Sequence, residues 1–152
     1  MKLIWEFEYA PIRLPDPAIS DKDITFSSEK PVSGMQITVT VTIRNLGNVD
    51  ATGVPVEIIA SHCVQVNVLV NRVIDIARGA SITLTINATL DEGWHSFEIL
   101  LDPDRFLEEI DEHNNYAERL LLVLPPPPPS PVISSKCTDR GGHILPPGRF
   151  GY

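Results

Sequence analysis

Residues 35–44 read MQITVTVTIR, in which Met35, Ile37, Val39, Val41 and Ile43 alternate with Gln36, Thr38, Thr40, Thr42 and Arg44. A period of two sustained this long predicts a strand with one buried and one wet face. The alternation returns in SITLTINATL, which places Ile82, Leu84, Ile86, Ala88 and Leu90 inward. It returns again in CVQVNVLV, where Val64, Val66, Val68 and Val70 are expected on the buried side. Further strands are expected over 18–26, 54–60, 95–101 and 116–124. Turn chemistry separates them: NLGNVDATG at 45–53, NRVIDIARGA at 71–80 and DEG at 91–93. No long stretch carries a helical period. Seven short strands so spaced predict an all-β, antiparallel β-sandwich.

Two appendages flank the sandwich, which is expected over residues 15–124. In the first 14 residues Leu3, Trp5 and Phe7 alternate with Ile4, Glu6 and Glu8, as an extra strand or an arm packing on a neighbour would. At the other end PPPPPSP, residues 125–131, stops the last strand, because proline cannot donate to a ladder and favours polyproline II. Residues 132–152 hold few core-forming side chains and read as a tail, flexible or bound to a partner.

Composition narrows the function classes. The 152 residues suit one domain with a real core, and 43% hydrophobic with 21% charged residues is ordinary globular content. A net charge of −8 argues against nucleic acid, whose phosphates call for a basic face, and against anionic lipid. No apolar run reaches the roughly 20 residues of a membrane-spanning helix, so no membrane insertion is expected. Glu6 and Glu8 break what would otherwise resemble a signal peptide's apolar region. Cys63 and Cys137 could form one bridge or stand apart; spacing does not decide.

Chemistry, if any, would sit in LDPDRFLEEIDEHNN, residues 101–115, which packs six carboxylates and ends in two asparagines. Counted from Asp102, an EF-hand template fails: Phe106, Leu107 and His113 stand at its fifth, sixth and twelfth positions. A glycosidase pair would need two acids across a cleft, which a small sandwich does not obviously offer. The four histidines show no metal-ligand spacing, and in Ser61-His62-Cys63 adjacency along a strand points neighbours to opposite faces. No glycine-rich phosphate loop is present, and the sequon at Asn87 falls within a predicted strand. The stretch therefore reads chiefly as architecture. Asp102 would accept from amides two residues on, Pro103 would fix the turn, and Phe106, Leu107 and Ile110 would plug the sandwich. Asp111, Glu112, Asn114 and Asn115 would satisfy backbone groups. Should the stretch hold a cofactor, a hard cation is the one its oxygens suit: calcium, with Asp102, Asp104, Glu109, Asp111 and Glu112 as ligands.

Several of these segments, in this order, resemble the CARDB family, the cell adhesion related domain found in bacteria. The resemblance runs from about Pro15 to Val123 and rests on PDPAISDKDITFS, PVSG before VTVTIRNLGNVDATG, IARGASITLTI, GWHSFEILLDPD and LEEIDEHNN. Arg105 and Ile110 depart from the family's usual asparagine and small polar residue. The resemblance implies an immunoglobulin-like sandwich without enzymatic activity, acting as an adhesion, interaction or spacer module at the cell surface or outside the cell. Its partner would be a protein, or a second copy held through the arm, the tail or an edge strand, with Trp5 and Phe7 as candidate contacts. The alternative is a carbohydrate-binding or enzyme-accessory module, with polysaccharide resting on exposed aromatics such as Trp94, although Trp94 is expected to pack.

Overall fold

The computed structural model describes residues 10–129. Trp5, Phe7, Cys137 and the tail expected beyond residue 131 lie outside the described residues. Two antiparallel sheets face each other. In the first, β3 (Gln36–Asn45) is central, with β6 (Ser81–Thr89) along one side. On its other side β1 (Pro17–Ala18) and β2 (Ile24–Phe26) follow one another. The second sheet runs β5 (Gln65–Ile76), β4 (Ala51–His62), β7 (Gly93–Leu101), β8 (Tyr116–Val123). Among the described residues no helix is long and apolar enough to cross a membrane.

The alternation in β3 does what its period requires. Ile37, Val39, Val41 and Ile43 are buried against Val54, Val56 and Ile58 of β4 and Phe97, Ile99 and Leu101 of β7. Each such side chain stabilises the fold by roughly 1.5–3 kcal/mol when fully buried. Met35, expected inward, lies before the strand begins and is half exposed. In β6 Leu84 is buried, and Ile82, Ile86 and Ala88, with Leu90 just after the strand, pack against the core from a sheet edge.

Three expectations are corrected. The segment 18–26 is not one strand. Asp23 accepts from the Ser20 amide at 2.9 Å and hydroxyl at 2.7 Å, winding Asp21–Asp23 into a 3-10 turn, and pairs with Arg44. Of residues 71–80 only 77–80 turn, with Gly79 at φ +68° and Ala80 N donating to Ala77 O at 3.0 Å, because β5 continues to Ile76 with Ile74 and Ile76 buried. The inward placement of Val64, Val66 and Val68 is also wrong, for these side chains are exposed. The register shifts between Ile58↔Val70 and Ile59↔Val68, leaving Leu69 as an extra residue. A one-residue bulge exchanges the two faces of a strand. Beyond it Gln65, Asn67 and Leu69 face the space between the sheets, and the valines face out.

The two ends of the sandwich are where the chain enters and leaves. At the entry end the Asn45 amide, 1% exposed, makes four hydrogen bonds. Its oxygen accepts from Asp16 N and Gly47 N, both at 3.0 Å. Its nitrogen donates to Val49 O at 2.8 Å and Ile76 O at 3.1 Å. Asn48 holds the same incoming chain, accepting from Leu14 N and donating to Ile12 O. Gly47 is required because a methyl group there would overlap the backbone of Leu14 and Pro15. At the opposite end Leu124 donates to Pro31 O and accepts from Ser33 N, each at 2.8 Å. The Asn45→Ala variant strands buried backbone donors and acceptors, so a loss of about 3 kcal/mol is expected in urea denaturation. Asn48→Ala, at an exposed site, should lose about 1 kcal/mol or less.

Candidate functional site

The acidic loop from Asp102 to Asn115 closes the entry end between β7 and β8. Asp102 leaves β7 with φ of +42°, and Arg105 N returns to Asp102 O at 2.9 Å, with Arg105 at φ +54°. The Asp102 carboxylate is 1% exposed and is spent within the loop. Its oxygens accept from Phe106 N at 3.0 Å and Leu107 N at 2.7 Å, four and five residues on rather than two. Asp104 points to solvent. Of the expected plug only Leu107 packs against the core; Phe106 is 79% and Ile110 49% exposed.

The rest of the loop is tied to the incoming chain. Ile110 N donates to Pro15 O at 3.1 Å, Asn114 Nδ2 to Asp16 Oδ1 at 2.9 Å, and Ile19 N to Asn114 O at 3.0 Å. Asp111 lies outward, accepting from the backbone and ring of exposed His113. Glu112 accepts from Glu109 N at 3.2 Å through one oxygen only. Five oxygens here are buried without a hydrogen-bond partner: both of Glu109, Oε2 of Glu112, and Oδ1 of Asn114 and of Asn115. All five are acceptors. Glu109 is 6% exposed, and its carboxyl is pushed up to about 7. Burial is the main cause and the Asn115 amide opposes it; Glu112, Asp102 and Asp16 add repulsion. Of the five ligands expected from sequence, Glu109 and Glu112 thus carry free oxygens, Asp102 is used internally, and Asp104 and Asp111 face away. Asn114 and Asn115, expected to satisfy backbone groups, instead keep their side-chain oxygens unpaired, which only the folded chain reveals.

At the exit end the bulge of β5 leaves an open cleft of about 270 Å³ lined by His62, Gln65, Asn67, Asn87, Asp91 and His95. His62 and His95 are cross-strand partners, stacked with ring centroids 4.2 Å apart. His62 Nδ1 is 3.0 Å from Trp94 O, and His95 Nε2 is 2.9 Å from Asp91 O. Gly93 has φ of +118°, and a Cβ there would come within 2.8 Å of the His62 ring. Cys63 sits at the hairpin tip with φ +53°, so its Sγ reaches 3.6 Å from His62 Nε2 instead of pointing to the opposite face. Trp94, expected to pack, is 61% exposed on the outer face of the second sheet beside Leu122. The indole points out because the buried positions of β7 are His95, Phe97, Ile99 and Leu101.

Burial holds the His95 imidazole below its ordinary range, and a charge on His62 would lower it further, against the pull of Asp91. A histidine kept neutral when folded leaves the unfolded chain binding more protons below about pH 6.5, so stability falls as pH drops through that value. Denaturation midpoints at pH 7 and pH 5 should differ less in His95→Gln than in the natural sequence.

Comparison with solved structures places this architecture among known domains. The CARDB domain of a Pyrococcus furiosus protein, solved in complex with di-metal ions, is 19% identical with a TM-score of 0.67; the match covers 77% of this chain and all of that one. A domain from a candidate cell surface protein of Methanosarcina acetivorans is 23% identical, TM-score 0.55, over 73% of this chain and 93% of that one. A protein from Geobacter metallireducens is 26% identical, TM-score 0.51, over 67% of this chain and 92% of that one. Comparison with proteins of curated function returned no match. The family model for CARDB matches residues 15–119, most of the described sandwich. The chain belongs to the CARDB family, in its immunoglobulin-like β-sandwich form.

Proposed function

We propose that this chain is a non-enzymatic spacer and interaction module of a protein displayed at the cell surface or outside the cell. The observation that carries the reading is the position of its two connections. The incoming chain is fastened at the Asn45 end by Asn45, Asn48 and Ile110. The outgoing chain is fastened at the opposite end by the Leu124 pairing to Pro31 and Ser33. A domain so connected adds its full length to a string, roughly 30 Å for a ten-residue strand such as β3. Pro125–Pro129 then continue outward, exposed, as a semi-rigid strut of roughly 3.1 Å per residue. The family's adhesion-related character and the cell-surface candidate among its structural relatives support the location.

The interaction half of the reading rests on β5. It is an edge strand of twelve residues, and beyond its bulge Val66 and Val68 are exposed, as is Val64 in the adjoining hairpin turn. An unpaired edge with outward valines is a template for a further strand. An identical edge meets it about a twofold axis, each copy supplying the strand the other lacks. The partner in this reading is therefore a second copy.

Two measurements check the proposal. Spin labels at residues 50 and 130, with Cys63 and Cys137 changed to serine, should give a narrow distance distribution. Replacing Pro125–Pro129 by Gly and Ser should shorten and broaden it; equal widths would remove the strut. Sedimentation of the natural chain should show a concentration-dependent dimer that the Val66→Lys/Val68→Lys pair abolishes. A chain that is monomeric throughout, or a dimer indifferent to both lysines, would end the self-association reading.

A further inference from the structure

We infer that the closing loop is a calcium site built from Glu109, Glu112, Asn114 and Asn115, and that the ion fastens this loop to the incoming chain. The inference stands apart from the spacer reading and survives its failure.

Its ground is the inventory of buried oxygens. A buried carboxylate without a partner is strongly unfavourable, and buried amide oxygens normally find a donor. Here both oxygens of Glu109, one of Glu112 and one each from Asn114 and Asn115 have none, on a side chain set where Glu109 is 6% exposed. Acceptors alone cannot satisfy one another. Glu112, Asp102, Asp16 and the Asn115 amide all bear on the Glu109 carboxyl, so a cation is the charge this group of oxygens lacks. The Asn115 amide approaches Glu109 without making a hydrogen bond to it, and Arg105, beside Glu112 and Asn115, is exposed and forms no ion pair with any described residue. Among the described residues the arginine ion pairs go elsewhere, Arg44 to Asp23 and Arg119 to Glu29. His113 faces solvent and bonds Asp111.

The donor set selects the ion. Zinc favours nitrogen and sulfur, and no imidazole or thiolate joins this group. Magnesium demands a near-ideal octahedron and keeps most of its waters. Calcium takes roughly six to eight oxygens in irregular geometry, with carboxylate and amide carbonyls among its usual ligands. Among the described residues no three acidic, histidine or cysteine side chains converge as a metal cluster, so the two amides are integral to the site. The raised Glu109 carboxyl agrees with a pocket lacking its counter-charge. Neighbouring bonds from Ile110 to Pro15 and from Asn114 to Asp16 carry the ion's rigidity to the entry of the domain.

The test uses the full chain freed of metal with EDTA, then titrated with calcium chloride alone and, in parallel, magnesium chloride, following heat and melting temperature. Saturable heat and a raised melting temperature are expected with calcium and a weaker response with magnesium. Glu109→Gln should bind calcium roughly tenfold or more weakly, yet in EDTA melt no lower than the natural chain, because it removes an unpaired buried charge. Glu112→Gln should weaken binding too, and Asp104→Asn should leave it unchanged. Absence of both heat and melting shift with calcium overturns the site. So does an undiminished response in both glutamine variants, which would put the ion elsewhere, and so does loss of the response in Asp104→Asn. A Glu109→Gln chain that melts well below the natural one in EDTA would mark Glu109 as a satisfied structural carboxylate and likewise overturn it.

Discussion

Four hydrogen bonds from one buried amide join parts of the chain that no strand ladder connects. Asn45 ends β3 in the first sheet, yet it holds Asp16 before β1, the turn at Gly47 and Val49, and Ile76 at the end of β5 in the second sheet. Two donors and two acceptors are all that a primary amide offers, and all are used at a site 1% exposed. Neither aspartate nor any apolar residue supplies that combination. The two sheets could stack by apolar contact alone, but their relative setting at this end, and the path of the incoming chain, follow from Asn45.

The closing loop is laid over the same end and inherits its geometry. Because Asn45 fixes Asp16, the carboxylate of Asp16 meets Asn114, and Pro15 meets Ile110. The loop therefore cannot be a free acidic turn. Its carboxylates and amides are pressed between β7, β8 and the entry segment, where oxygen atoms accumulate faster than donors. At the other end the order is reversed: a bulge opens the sheets, polar side chains face in, and the stacked pair His62–His95 lines an open cleft.

The alternating segments were legible because a strand with one wet face leaves its period in the sequence. β3, β6 and the inner residues of β4 and β7 show it plainly. The same reasoning misassigned Val64, Val66 and Val68, since a bulge at Leu69 exchanges faces without altering the period. It also expected Trp94 to pack, from size alone, when parity with His95 and Phe97 already places it outside. In the acidic loop the residue types suggested a cation, but carboxylates were weighted over amides. Asp104 and Asp111 were included because spacing along a loop says nothing about direction.

By itself the sequence determined the class of fold, most of its strands and the family, since these depend on local period, turn residues and the order of motifs. Tertiary structure alone decided which oxygens remain without partners, that entry and exit lie at opposite ends, and which face of β5 is exposed. Those properties depend on pairings between distant residues, such as Asp16 with Asn114 and Ile59 with Val68, and on a register that a single unpaired residue can shift.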